Sequence, residues 1–101
     1  MESQLATRFG RNVWRSRRHA GFSQEELAHL SELHRVDVGQ LERGQRLPRL
    51  DTILKLAAGL EVSTCALLAG MHWQAGHYVE GQYFIEDGSE RLARRAKRGL
   101  R

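Results

Sequence analysis

SQEELAHLSELHRVDVGQLERG, residues 23–44, decides the fold. Ser23 followed three residues later by Glu26 has the form of a capping box, so a helix opens here. Leu27, Ala28 and Leu30 are its inward residues, and "SELH" interrupts it. A second stretch, 35–43, is helical until Gly44 stops it. Leu33 in the break, with Val38 and Leu41 beyond it, can turn into the core that receives Leu27 and Ala28. Two short helices that share one core across a tight turn predict a helix-turn-helix. The opposite face of the later helix is then free to enter a major groove about 12 Å wide.

Working outward, residues 4–20 read as a helix, because Leu5, Phe9, Val13 and Ser16 recur every three or four positions and Ala20 continues the line. Gly21 ends it. After the loop "QRLPR", Pro48 begins a helix over 49–59 with Leu50, Ile53, Leu54 and Ala57 on one face, closed by Gly59. Ser63 caps a last short helix through Leu68, and Gly70 closes that. Beyond Gly70, "HWQAGHYVEGQYFIE" is rich in aromatic residues and has no helical period. It predicts one or two short strands within 77–86, with Val79, Tyr83 and Ile85 on one face and Tyr78, Gln82 and Phe84 on the other. A basic segment over 91–101 reads either as a short helix or as a disordered tail. The expected organisation is a five-helix, all-α domain over 1–70 and an extension over 71–101 that includes β-strand.

At 101 residues and 41% apolar content the chain suits one small domain with one core. No apolar run approaches the roughly 20 residues of a membrane span, and the N-terminus lacks the apolar centre of a signal peptide. A cytosolic chain with no membrane partner is the expectation. The single cysteine, Cys65, can form no internal disulfide and is expected to be a small buried side chain. The net charge of +4 is concentrated at the two ends: residues 1–22 carry five Arg against one Glu, and 71–101 carry six basic groups against four acids. This weakly favours a polyanionic partner. The five histidines show no i, i+4 pair on a helix face, and Cys65, His72 and His77 match no metal spacing. With no nucleophile–base set and no phosphate-binding glycine loop, neither an enzyme nor a metal or cofactor site is expected.

"SQEELA" at 23–28, "LERG" at 41–44, "LPRLDTILKLA" at 47–57 and "VS" at 62–63 together resemble the phage-repressor (Xre/Cro type) helix-turn-helix family of bacterial and phage regulators. The resemblance runs over 5–69 without a gap. It implies a compact lambda-repressor-like domain that binds double-stranded DNA as a dimer, most often as a repressor, on the nucleoid. Three positions depart from the family pattern: Glu32 stands where a turn glycine is usual, His34 where Ser or Thr caps the recognition helix, and Ser16 where a large apolar residue is common.

With Arg35 set at 0° and about 100° per residue, Val38 and Leu41 place the buried side of the helix near 270°. Val36, Gly39, Gln40 and Arg43 then centre on the exposed side, and Arg35 reaches forward from the helix start. Arg35, Val36 and Gln40 are the expected readers of base edges: Arg suits guanine, Gln adenine, and Val a thymine methyl. Gly39 would let the helix sit close to DNA. Arg43, Arg46 and Arg49 are candidates for phosphate contacts. The resemblance implies that Gln24 bridges a phosphate and the readers, at a helix start that favours anions anyway. Glu42 falls nearer the buried side and so needs a partner; Arg17 is the candidate, and the resemblance supports that pair. Asp37, in the first turn, suits the positive helix end and can stand in for the cap that His34 does not supply.

A homodimer through 64–86 is expected, since one reader of this size covers only a few base pairs. Trp14 faces outward, where Trp73 or Tyr78 could cover it. The extension is too short for a sensing domain, so no small-molecule ligand is expected. The competing reading is a protein-interaction module, such as an antitoxin-type partner, that uses the aromatic segment.

Overall fold

A computed structural model of the chain describes residues 2–86. Five helices are followed by a hairpin: α1 (Glu2–Ala20), α2 (Gln24–Ser31), α3 (Arg35–Glu42), α4 (Leu50–Leu60), α5 (Thr64–Leu67), β1 (Met71–Gln74) and β2 (Gln82–Ile85).

α2 starts where its capping box stands. Ser23 Oγ accepts from the Glu26 N–H (3.0 Å), and Glu26 Oε1 accepts from the Ser23 N–H (2.9 Å). It ends on Glu32, which takes the left-handed conformation usual for glycine (φ 55°, ψ 45°). That conformation costs a side-chain-bearing residue roughly 1–2 kcal/mol. The turn is held by the Leu33 N–H donating to the Ala28 carbonyl (2.9 Å), and Leu33 packs on the core. α4 closes in the same way, on Glu61 (φ 56°), with the Val62 N–H donating to the Ala57 carbonyl (3.0 Å).

Gly59 therefore does not end α4, which runs on to Leu60. It instead permits the close approach of α2, since a Cβ at Gly59 would collide with Ser31 Oγ. Gly10 plays the same part between α1 and α3, because a Cβ there would strike the Leu41 and Glu42 carbonyl oxygens. The C-terminal end of α3 and the middle of α1 are thus in backbone contact.

Phe9, Val13, Leu27, Val38, Leu41, Leu56 and Leu67 are fully buried, and α1 to α5 all contribute. The inward stripe of α4 is Ile53, Leu56, Ala57 and Leu60. Leu50 and Leu54, expected inside, are 73% and 54% exposed, and Leu30 of α2 is 49% exposed. Ile53 and Ala57 turn inward as expected, but the buried face is rolled toward Leu56 and Leu60 and away from Leu50 and Leu54. Cys65 is exposed rather than buried.

The strand expected within 77–86 is β2, over 82–85, and Tyr78 and Val79 lie in the connection before it. Its antiparallel partner β1 was not foreseen. Met71 faces Ile85, His72 faces Phe84, Trp73 faces Tyr83 and Gln74 faces Gln82. Met71, His72, Trp73 and Gln74 do alternate apolar and polar, but four residues is the shortest run that carries this signal. The hairpin is tied to the helices, with β2 lying against α1. The buried Asn12 side chain donates to the Leu67 and Ala69 carbonyls (2.9 and 3.0 Å), and the Glu86 N–H donates to the Gly70 carbonyl (2.9 Å). His72 Nε2 lies 2.6 Å from Glu86 Oε1, whose side chain is fully buried.

Neither expected cover reaches Trp14. Trp73 packs edge-on against Tyr83 (4.9 Å), Tyr78 is fully exposed, and the Arg18 guanidinium lies 5.6 Å from the centre of the Trp14 ring. The basic segment 91–101 lies outside the described residues. Among the described residues no helix is long and apolar enough to cross a membrane.

Candidate nucleic-acid interface

The expected Arg17–Glu42 pair forms. Arg17 donates from Nε to Glu42 Oε2 (2.6 Å) and from Nη2 to Oε1 (3.0 Å), and their side chains are only 10% and 4% exposed. Arg17 Nη1 donates to the Phe22 carbonyl (2.8 Å), so one guanidinium holds the end of α3 and the turn before α2. Such forked, charge-assisted bonds are the strong kind. Gln24 is the third member. Its Nε2 donates to Glu42 Oε1 (3.0 Å), which fixes the start of α2 over the end of α3.

α3 is held down by Val38 and Leu41, both fully buried. On its other side Arg35 and Val36 are exposed, Val36 by 60%, and Gln40 is half-buried. Gly39, expected to be open, is buried. Arg43 Nη1 stands 3.0 Å and Gln24 Oε1 3.6 Å from where its Cβ would be, so long neighbouring side chains fold over the small residue.

Asp37 does not cap α3, and neither does the His34 side chain. The Asp37 carboxylate instead meets Arg46 Nη2 at 3.2 Å and ties the first turn of α3 to the loop that follows it. Arg46, one of the expected phosphate residues, is thus partly neutralised. Arg49 Nε lies 3.4 Å from Asp51 Oδ1, with both side chains largely exposed. Arg43 Nη2 donates to Gln45 Oε1 (3.4 Å). The Asp37–Arg46 contact left no signal in the sequence, because nine residues through a turn follow no helical spacing.

At the far end of α2's first turn, the Glu26 carboxyl is held below its ordinary range. The Ser23 backbone N–H is the main cause and the Ser23 hydroxyl the second. Among the described residues no group of three or more His, Cys, Asp or Glu side chains could hold a metal ion.

Residues 15–67 match the HTH_3 family model, whose description is helix-turn-helix. The chain belongs to the HTH_3 helix-turn-helix family. The matched segment runs from the second half of α1 through α5 and holds Arg17, Gln24, the whole of α3 and Glu42.

Among similar proteins is the control protein C.SmaI of Serratia marcescens, 42% identical over 57 residues, which are 56% of this chain and 68% of that protein. Another is the SPbeta prophage-derived uncharacterized HTH-type transcriptional regulator YonR of Bacillus subtilis, 38% identical over 66 residues. That match covers 65% of this chain but only 61% of the Bacillus protein. Of solved structures, the restriction-modification controller protein C.AhdI from Aeromonas hydrophila is 45% identical and superposes with a TM-score of 0.60. The superposition covers 61% of this chain and 94% of that one. HTH_3 membership and this superposition agree on the helical portion of the fold.

Proposed function

We propose that this HTH_3 chain is a sequence-specific, double-stranded DNA-binding transcriptional regulator of the bacterial cytoplasm. It acts as a repressor and places α3 in the major groove as a homodimer. One observation carries the reading: the inner side of α3 is clamped through Glu42 to Arg17 and Gln24, while Arg35 and Val36 stand exposed on its outer side. A rigidly held helix with such an outer face is what base readout requires. The similarity to proteins described as a transcriptional regulator and as controller proteins supports it.

Arg35 then reads a guanine, Gln40 an adenine, and Val36 packs on a thymine methyl. Gln24, Arg43, Arg46 and Arg49 contact phosphates. The Asp37 carboxylate weakens the share of Arg46, since it already holds one of that residue's guanidinium nitrogens. Dimerisation doubles the site and sets two half-sites about one helical turn apart, in a palindrome.

Selection of bound sequences from random duplexes at moderate salt tests the reading. A two-fold symmetric motif is the expected result, and no enrichment overturns it. Arg35→Ala should relax the preference at one base position at a cost of about 1–3 kcal/mol, whereas Arg46→Ala should weaken all sequences alike.

A further inference from the structure

We propose that a basic cleft between α1 and the end of α3 is a second phosphate-binding surface, in which Arg11 and Arg15, with Arg43, hold the DNA backbone flanking the bases read by α3. The inference rests on the DNA-binding reading above and adds α1 to the contact surface.

The cleft has a volume of about 450 Å³ and is lined by Thr7, Arg11, Trp14, Arg15, Glu42 and Arg43. Its one carboxylate is already spoken for: Glu42 is 4% exposed and bonded to both Arg17 and Gln24. Three arginines therefore line the cleft, and its one acid is already bonded elsewhere. Among the described residues Arg11 and Arg15 form no ion pair with a carboxylate. They sit one turn apart on the same face of α1, where like charges repel. An anion between them removes that repulsion. Trp14 adds a flat apolar wall, 46% exposed, which suits a sugar ring, and Thr7 adds an exposed hydroxyl.

Arg43 makes a DNA strand the fitting occupant rather than a small free anion. Its guanidinium stands over Gly39, beside the Gln24 amide, and the same residue lines the cleft. The cleft is thus continuous with the flank of α3, and a strand that leaves the groove past the end of α3 runs into it. A phosphate bonded to forked guanidinium donors is the chemistry the cleft offers.

The test measures binding of the full chain to a selected duplex over a range of salt concentrations. Arg11→Gln/Arg15→Gln should weaken binding about tenfold or more on every sequence and lower the salt slope by about two per protomer, with base preference unchanged. Arg11→Lys/Arg15→Lys, which keeps the charge, should restore most of the slope. Trimming the flanking base pairs should abolish the difference between the Gln variant and the parent. Both side chains are exposed, so the melting temperature should not move.

If the parent binds its duplex and the Gln variant shows the same affinity and slope, the cleft proposal is overturned while the regulator reading stands. A deficit that survives trimming of the flanks, or inorganic phosphate that protects the cleft but does not compete with DNA, points to a free anion and overturns it too. If the parent binds no duplex, the regulator reading itself fails.

Discussion

Glu42 shows how one residue can be placed by arithmetic while its surroundings are not. Its angle on the helix puts it near the core, and a buried carboxylate needs a cation; Arg17 supplies it with two bonds of 2.6 and 3.0 Å. The Gln24 bond to the same carboxylate was not legible, because nothing in the spacing from 24 to 42 requires it. Glu42→Ala would leave the Arg17 guanidinium, 10% exposed, without its counter-charge. The expected loss is about 3–5 kcal/mol in equilibrium denaturation, the range for removing one partner of a buried pair. A loss below about 0.5 kcal/mol would mean that the pair behaves as an exposed one. Asp37 is the opposite case. Its place in the first turn of α3 suggested a cap, but Arg46 comes within 3.2 Å through the following turn and takes the carboxylate. Asp37 keeps its place in the first turn, where the helix dipole favours it, but its hydrogen-bonding capacity goes to Arg46 rather than to a cap.

At the scale of the element, α2 is the helix whose start was most clearly written. Both bonds of its capping box are made. Because the folded state holds the Glu26 carboxyl below its ordinary range, it favours the ionised form. The contribution is therefore fully present above the ordinary carboxylate range and is lost as pH falls through the lowered folded value. Glu26→Gln keeps a capping side chain but removes the titration. The stability difference between parent and Glu26→Gln, read from thermal melts, should favour the parent at neutral pH and shrink to nothing in acid. A pH-independent difference would refute this. α3, by contrast, begins without a side-chain cap. Eight residues are too few to hold a helix alone. α3 exists because α1 meets it at Gly10 and α2 meets it through Gln24.

At the scale of the molecule, the apolar residues left outside are informative. α4 and α5 pack on each other, and this region leaves Leu50, Leu54 and Leu68 at least 42% exposed. β1 and β2 pair with one another, which leaves each strand one outer edge. The homodimer is expected through 64–86, which begins at α5; if its surface extends onto the packed α4, Leu54→Asp should shift sedimentation at micromolar concentration from dimer to monomer, with helical content unchanged. A dimer that persists would remove this surface from the proposal. Leu54 suits the test because it contributes little to the core it was expected to join.

The amino-acid order alone determined what depends on neighbours close along the chain: five helices, the capping box, the glycine stops at 21, 44 and 70, and the buried stripe of α3. Backbone sterics and a short helical period act over a few residues, so they can be read locally. The paired Arg17 and Glu42 were also within reach, since a buried charge must be matched. Tertiary structure decided the rest. It rolled the buried face of α4 from Leu50 and Leu54 toward Leu56 and Leu60, closed β1 onto β2, covered Gly39 with Arg43 and Gln24, and sent Asp37 to Arg46. It also brought Arg11 and Arg15 of α1 beside Arg43. Each of these depends on which surfaces meet once the helices dock, and local periodicity is blind to that.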